Sequence, residues 1–158
     1  MDILKIKNVN IDGIVSCLPE QLLDNKVECL DLFGSGVDTL IKATGINARA
    51  VANRGTTTLD LEVKAAAELL KLTDINPEEI GAIICVTFTP EYLMPSDAPS
   101  AQARLNIPNH TLAFDINLAC SGYGYGLYIA STLVNALKKK VLLLNGDIQS
   151  AYVSKTDK

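Results

Sequence analysis

Four cysteines, one histidine and a run of closely spaced glycines carry most of the chemistry available to this sequence. Cys120 has the most suggestive setting. It stands in Asn117-Leu118-Ala119-Cys120-Ser121-Gly122, between an apolar run that reads as a strand and a long uncharged run that reads as a helix. A thiol at such a junction meets the unsatisfied N–H groups and the positive end of the helix dipole. Both favour the thiolate, so more of the sulfur is an active nucleophile at neutral pH. Ala119 and Gly122 are small enough for a sharp turn and a close substrate approach, as in a nucleophile elbow with sulfur in place of oxygen. A buried cysteine is also a common small core hydrophobe, and the residues alone leave that alternative open.

The other candidates are weaker. Cys17, Cys29 and Cys85 have no comparable setting, and Cys85 lies within a continuous apolar run; these three read as structural or incidental. No CxxC pair is present, and with the single His110 the chain offers no recognisable zinc ligand set, so no metal is expected. His110 follows Pro108-Asn109 and reads as a solvated loop histidine. Gly122, Gly124 and Gly126 each cost a helix about 1 kcal/mol against alanine. Gly122, Gly126 and Ala130, at four-residue steps, would give that helix one smooth face for close packing, which also fixes the thiol in place.

These residues need a scaffold, and 158 residues with 48% hydrophobic content allow one with a genuine core. That content excludes intrinsic disorder. A formal net charge of −4 argues against a nucleic-acid binder, which needs an excess of Lys and Arg. From Ile116 to Leu137 no residue is charged and three lysines follow, which imitates a membrane span. The interior of that run holds Asn117, Ser121, three glycines, Ser131, Thr132 and Asn135, which suits a soluble core rather than lipid. No secretory leader is recognisable in MDILKIKNVN, and reduced thiols in a cytoplasm are the simplest expectation.

Strands and helices alternate along the chain. Ile3 to Val15 reads as an extended, half-exposed start, and Asn25 to Phe33 as a weak helix followed by a Gly34-Ser35-Gly36 loop. Thr58 to Leu72 is the clearest amphipathic helix: Leu59, Val63, Ala66 and Leu70 form its stripe, while Asp60, Glu62, Lys64, Glu68 and Lys71 lie off it. Asn76-Pro77-Glu78-Glu79 reads as a cap with proline at the first helical position. Ala82–Phe88, Thr111–Leu118 and Val141–Leu144 read as buried strands, with a short helix at Asp97–Leu105 and the uncharged helix between the last two strands. That alternation predicts an α/β fold with a mainly parallel sheet.

At this point the motifs converge on a family. Val86-Thr-Phe-Thr-Pro90-Glu-Tyr-Leu-Met-Pro95-Ser, then Gln102-Ala-Arg-Leu105, then Phe114-Asp-Ile-Asn-Leu-Ala-Cys120-Ser-Gly-Tyr, resemble β-ketoacyl-acyl-carrier-protein synthase III. Thr44-Gly45-Ile46 followed by Arg49, and Asn145-Gly146-Asp147, match the same template in order. The resemblance implies a thiolase-like half: a mixed, mainly parallel five-stranded sheet with helices on both faces and a buried helix after the nucleophile. It also implies that residues 1–158 are an N-terminal thiolase-like domain whose C-terminal half lies outside this chain.

The chemistry implied is a ping-pong condensation in fatty-acid biosynthesis without a cofactor. Cys120 would take an acyl group from acyl-CoA or an acyl-carrier protein, with its own N–H as one oxyanion donor. The acyl-enzyme would then be attacked by the carbanion of decarboxylating malonyl-carrier protein. Met94 matches a position that lines the acyl pocket of the partner subunit in a cytoplasmic homodimer. Acetyl-CoA-primed members carry a tryptophan and an arginine before the Thr-Gly-Ile segment; here that stretch is Thr39-Leu-Ile-Lys42-Ala43, so Lys42 stands as a partial replacement and the primer is expected to differ from acetyl-CoA. The family's catalytic histidine and asparagine come from the second half, so this chain is expected to lack full condensation activity. Two rival readings remain: a non-catalytic assembly module that pairs with a second polypeptide, and a redox-sensing thiol built on Cys120.

Overall fold

In the computed structural model, residues 5–153 are described, and the chain forms two compact units. The larger comprises Met1–Cys17 and Thr57–Asp147, the smaller Leu18–Thr56 and Ile148–Lys158.

The smaller unit is built on an antiparallel ribbon, β1 (Gln21–Asp24) and β2 (Ala48–Val51), registered Gln21 against Val51. Between them run the short α1 (Asn25–Glu28) and α2 (Leu30–Phe33), then α3 (Val37–Thr44). The Asp24 carboxyl accepts from Lys26 N at 2.8 Å and so starts α1. Gly45 ends α3 at φ 73°, the left-handed conformation that glycine adopts without a Cβ penalty, and its N–H donates to Ile41 O. This is the physical content of the Thr44-Gly45-Ile46 motif.

The larger unit holds the parallel sheet. β3 (Ile80–Val86) is its central strand, flanked by β4 (Leu112–Ile116) and β5 (Lys140–Asn145), both parallel to it. Among the described residues there are five strands with mainly parallel pairing, divided between a three-stranded sheet and the two-stranded ribbon. β3 is buried on both faces, as its unbroken apolar run requires.

Helices cover both faces of that sheet. On one side, α4 (Thr58–Thr73) and α5 (Asp97–Arg104) pack Leu59, Ala66, Ala98 and Ala101 against Ile83, Cys85, Leu142 and Leu144. On the other, α6 (Gly122–Leu137) packs Ala130, Ile129 and Leu133 against Ile84, Val86, Phe114 and Leu143. α4 begins with a reciprocal capping box, Thr57 Oγ1 accepting from Asp60 N while the Asp60 carboxyl accepts from Thr57 N. A second such box joins Asn76 and Glu79, ahead of Pro77 as the sequence predicts.

Three expectations change in detail. Glu62 lies off the apolar stripe of α4, yet only 6% of it is exposed. It sits three residues after Leu59 and four before Ala66, so it shares their face, and the buried side of α4 is broader than one stripe. The helix after Cys120 is buried along its Gly122, Gly126 and Ala130 edge only, while Tyr123, Tyr125 and Tyr128 are exposed. That edge is the one that lies on the sheet, against Ile84, Val86, Phe114 and Leu143. The start of the chain, expected as extended and half-exposed, is mostly exposed from residue 5 to residue 15, turns through a left-handed Asn8 and pairs as no strand; Ile3 and Leu4 lie outside the described residues. It is held instead by Asn135 Nδ2 donating to Lys7 O, by the Lys140–Asp12 ion pair, and by Gly13 lying against Leu69 and Thr73. Among the described residues no helix is long and apolar enough to cross a membrane.

Candidate active site

Cys120 lies in the turn that joins β4 to α6. The strand stops at Ile116 because the chain folds back at once: Leu118 N donates to Ile116 O at 3.1 Å, and Gly122 N to Ala119 O at 2.8 Å. Two successive tight turns therefore carry the thiol past the carboxyl end of the sheet, and Ser121 begins the helix two residues before Tyr123. Gly122 is where this geometry is most demanding. A Cβ there would stand 2.6 Å from Val86 Cγ1 and 3.2 Å from Leu118 Cβ, so the helix start lies on the central strand with no room for a side chain. Cys120 itself is exposed.

Met94 belongs to the loop that follows β3, a strand adjacent and parallel to β4. Both residues thus emerge at the carboxyl edge of one sheet, where open α/β sheets place their ligands. Met94 is 85% exposed, and Tyr92 and Leu93 beside it are exposed as well. Lys42 is exposed on the last turn of α3 in the smaller unit. His110 is exposed in the turn before β4, at the amino edge of the sheet, opposite to the edge that carries Cys120. Among the described residues no group of three His, Cys, Asp or Glu side chains is arranged to hold a metal ion.

A set of carboxyl groups holds the loops of this edge in place, a role that the sequence motifs containing Asp115 and Asp147 do not reveal. Asp115 in β4 accepts from Asp97 N at 2.7 Å and from Ala98 N at 2.8 Å, and so caps α5 from a neighbouring strand. The Asp97 carboxyl accepts from Glu91 N at 3.2 Å. Asp147, just after β5, accepts from Thr87 Oγ1 and Phe88 N, both at 2.9 Å. A charged residue inside an otherwise apolar strand, as in Phe114-Asp115-Ile116, was the available signal.

The thiols differ sharply in access. Cys85 is fully buried in β3, and burial pushes its pKa up, with Glu62 and nearby aspartates adding to the effect. Alkylation of the native protein is therefore expected to modify Cys120 at least about tenfold faster than Cys85, because Cys85 reacts only after opening of the core. Peptide mapping of partially alkylated protein checks this; Cys85 labelled first would contradict the structure.

Comparisons with known proteins agree with this architecture. Residues 114–158 match the family model described as 3-oxoacyl-[acyl-carrier-protein (ACP)] synthase III. Over 152 residues the chain is 34% identical to a putative 3-oxoacyl-[acyl-carrier-protein] synthase 3 of Campylobacter jejuni, covering 94% of this chain and 43% of that protein. The crystal structure of a 3-oxoacyl-(acyl-carrier protein) synthase from Burkholderia xenovorans LB400 superposes with a TM-score of 0.87 at 38% identity, covering 92% of this chain and 42% of that one. A 3-oxoacyl-[acyl-carrier-protein] synthase III from Aquifex aeolicus gives a TM-score of 0.80 at 35% identity, over 92% and 47% of the two chains. The chain spans somewhat under half the length of the relatives it matches.

Proposed function

We propose that this chain, which matches relatives described as 3-oxoacyl-[acyl-carrier-protein] synthase III over somewhat under half of their length, is the N-terminal portion of a thiolase-fold condensing enzyme of that family and that Cys120 is its acyl-accepting nucleophile. The observation that carries this reading is the placement of the thiol: exposed, in a double turn at the carboxyl edge of the sheet, directly before a helix N-terminus. Cys120 Sγ attacks the thioester carbonyl carbon and loses its proton as the attack proceeds. The tetrahedral intermediate collapses by breaking the bond to the departing thiol sulfur, which leaves protonated, and the acyl group stays on Cys120. The backbone N–H of Cys120 is one donor to the oxygen that becomes negative in the intermediate.

In the whole enzyme the acyl group would then condense with a malonyl-carrier thioester, losing carbon dioxide, in fatty-acid biosynthesis. The groups that stabilise that carbanion belong to the second half, as does the cover for the open side of α6. Met94 would line the acyl pocket of a second protomer in a cytoplasmic homo-oligomer, and Lys42 would contact the carrier of the acyl group. No cofactor is required by this chemistry.

The test is intact-mass measurement after incubation with a panel of acyl-CoA and acyl-carrier thioesters, alongside Cys120→Ala. Wild type is expected to gain one acyl mass that hydroxylamine removes, and the variant none. An adduct that persists in Cys120→Ala overturns the assignment. If wild type gains none with any donor but restores activity to a separately supplied C-terminal half, the chain is an assembly module instead.

A further inference from the structure

Glu62 projects from α4 into the interior, and both of its carboxyl oxygens are buried without a hydrogen-bond partner. Such a group is costly in the charged form and tolerable only as the neutral acid. What surrounds it is specific. The ionisable groups that face it are Cys85 from β3, Asp97 from α5, Asp115 from β4 and Asp147 from the turn after β5. The Cys85 thiol lies beside it and is the nearest weak donor. Gly146 packs on the carboxyl: a Cβ there would stand 3.6 Å from Glu62 Oε1. The three aspartates are the same ones that hold Thr87, Phe88, Glu91 and the first turn of α5.

We propose that Glu62 is a proton-operated clamp: while it is protonated the three aspartates hold residues 87–98 and 146–147 in place, and its ionisation releases those segments. Ionisation would put a further negative charge among carboxyl groups that already act as acceptors, with only the weak Cys85 thiol beside it to donate. The α4 backbone and the strands beneath it are fixed by core packing, whereas residues 87–96 and 146–147 are loops, so the loops are what yields. Burial, reinforced by Asp97, Asp115 and Asp147, raises the Glu62 pKa to about 8, which puts the release at mildly alkaline pH. The sign follows from proton linkage. The folded chain binds this proton more tightly than the unfolded chain, so stability falls as pH rises from about 4.5 to about 8 and is flat beyond.

Amide hydrogen exchange on wild type and Glu62→Gln, corrected for the intrinsic rate at each pH, tests the clamp. Protection at Phe88, Glu91, Asp97 and Ala98 in wild type is expected to fall, between roughly pH 7 and pH 9, by about tenfold more than protection in β3, which follows global stability alone, and the variant shows neither fall. An equal fall in Glu62→Gln, or a fall at the loops no larger than that in β3, overturns the proposal. Should the variant fail to fold, the infrared band of a protonated carboxyl in wild type decides. It must be present at neutral pH and vanish together with the loop protection; its absence at neutral pH, or its loss without a change in protection, overturns the clamp equally.

Discussion

Asp115→Ala is expected to lower stability by about 3 kcal/mol, because it strips two short hydrogen bonds from the first turn of α5 and leaves both N–H groups without an acceptor. Helix starts are normally capped from their own chain, yet Ser96 makes no side-chain cap here, so the neighbouring strand does the work. Asp115→Asn keeps one acceptor oxygen and should recover about half of the loss. For a chain of this size 3 kcal/mol corresponds to roughly 6–12 °C in Tm. Thermal and urea denaturation of the two variants measure it. A cost under about 1 kcal/mol for the alanine variant would mean that α5 is positioned by the packing of Ala98 and Ala101 alone.

Alanine substitution at the three glycines of α6 should give opposite signs. At Gly122 the new methyl meets Val86 Cγ1 at 2.6 Å, and Val86 is a core residue of the central strand that cannot yield. Overpacking of this kind costs about 1–3 kcal/mol and outweighs the helix-propensity gain of at most about 1 kcal/mol at this first helical position. Gly126 is nearly as tight, with Leu143 Cδ1 at 2.9 Å and Val86 Cγ2 at 3.0 Å. Gly124 faces open space, with nothing within 4 Å, so Gly124→Ala is expected to stabilise by about 1 kcal/mol. The spread between the first and the last, about 3 kcal/mol in urea unfolding, checks the placement of the helix. Equal effects at all three sites would mean that α6 is rotated from the orientation described. Gly122→Ala should also slow acylation at Cys120, since the same glycine closes the turn that presents the thiol.

The framework of the larger unit could be read from the residues because local and global signals agree there. The unbroken apolar run at Ile80–Val86, the capping box at Asn76 and the four-residue spacing of Gly122, Gly126 and Ala130 each have one physical solution. The position of Cys120 was legible for the same reason: a strand and a helix joined by a short turn, with the small Ala119 and Gly122 close on either side of the thiol, leave it at the junction. Glu62 was not. Its charge argues for the surface, and only the crossing of α4 over the sheet shows that its face is buried. Asp115 shows the same limit from the other side. A carboxyl in a strand announces a polar partner, but that partner is the backbone of a helix begun eighteen residues earlier, a contact no local pattern encodes. The division of five strands into a sheet and a ribbon is likewise a matter of long-range pairing, which periodicity does not specify.

The position of β3 between β4 and β5 also sets a schedule for the ribosome. The central strand is the first of the three to be synthesised, ending at Val86, while its second neighbour is complete only at Asn145. At typical elongation speeds of 5–20 residues per second, the nascent chain carries an apolar strand with an unfilled hydrogen-bonding edge for roughly 3–12 s. Parallel pairing offers no hairpin to bridge the wait, since each neighbour must return through a helix. Burial on both faces, which makes β3 the most protected segment of the finished fold, makes it the most exposed liability of the unfinished one.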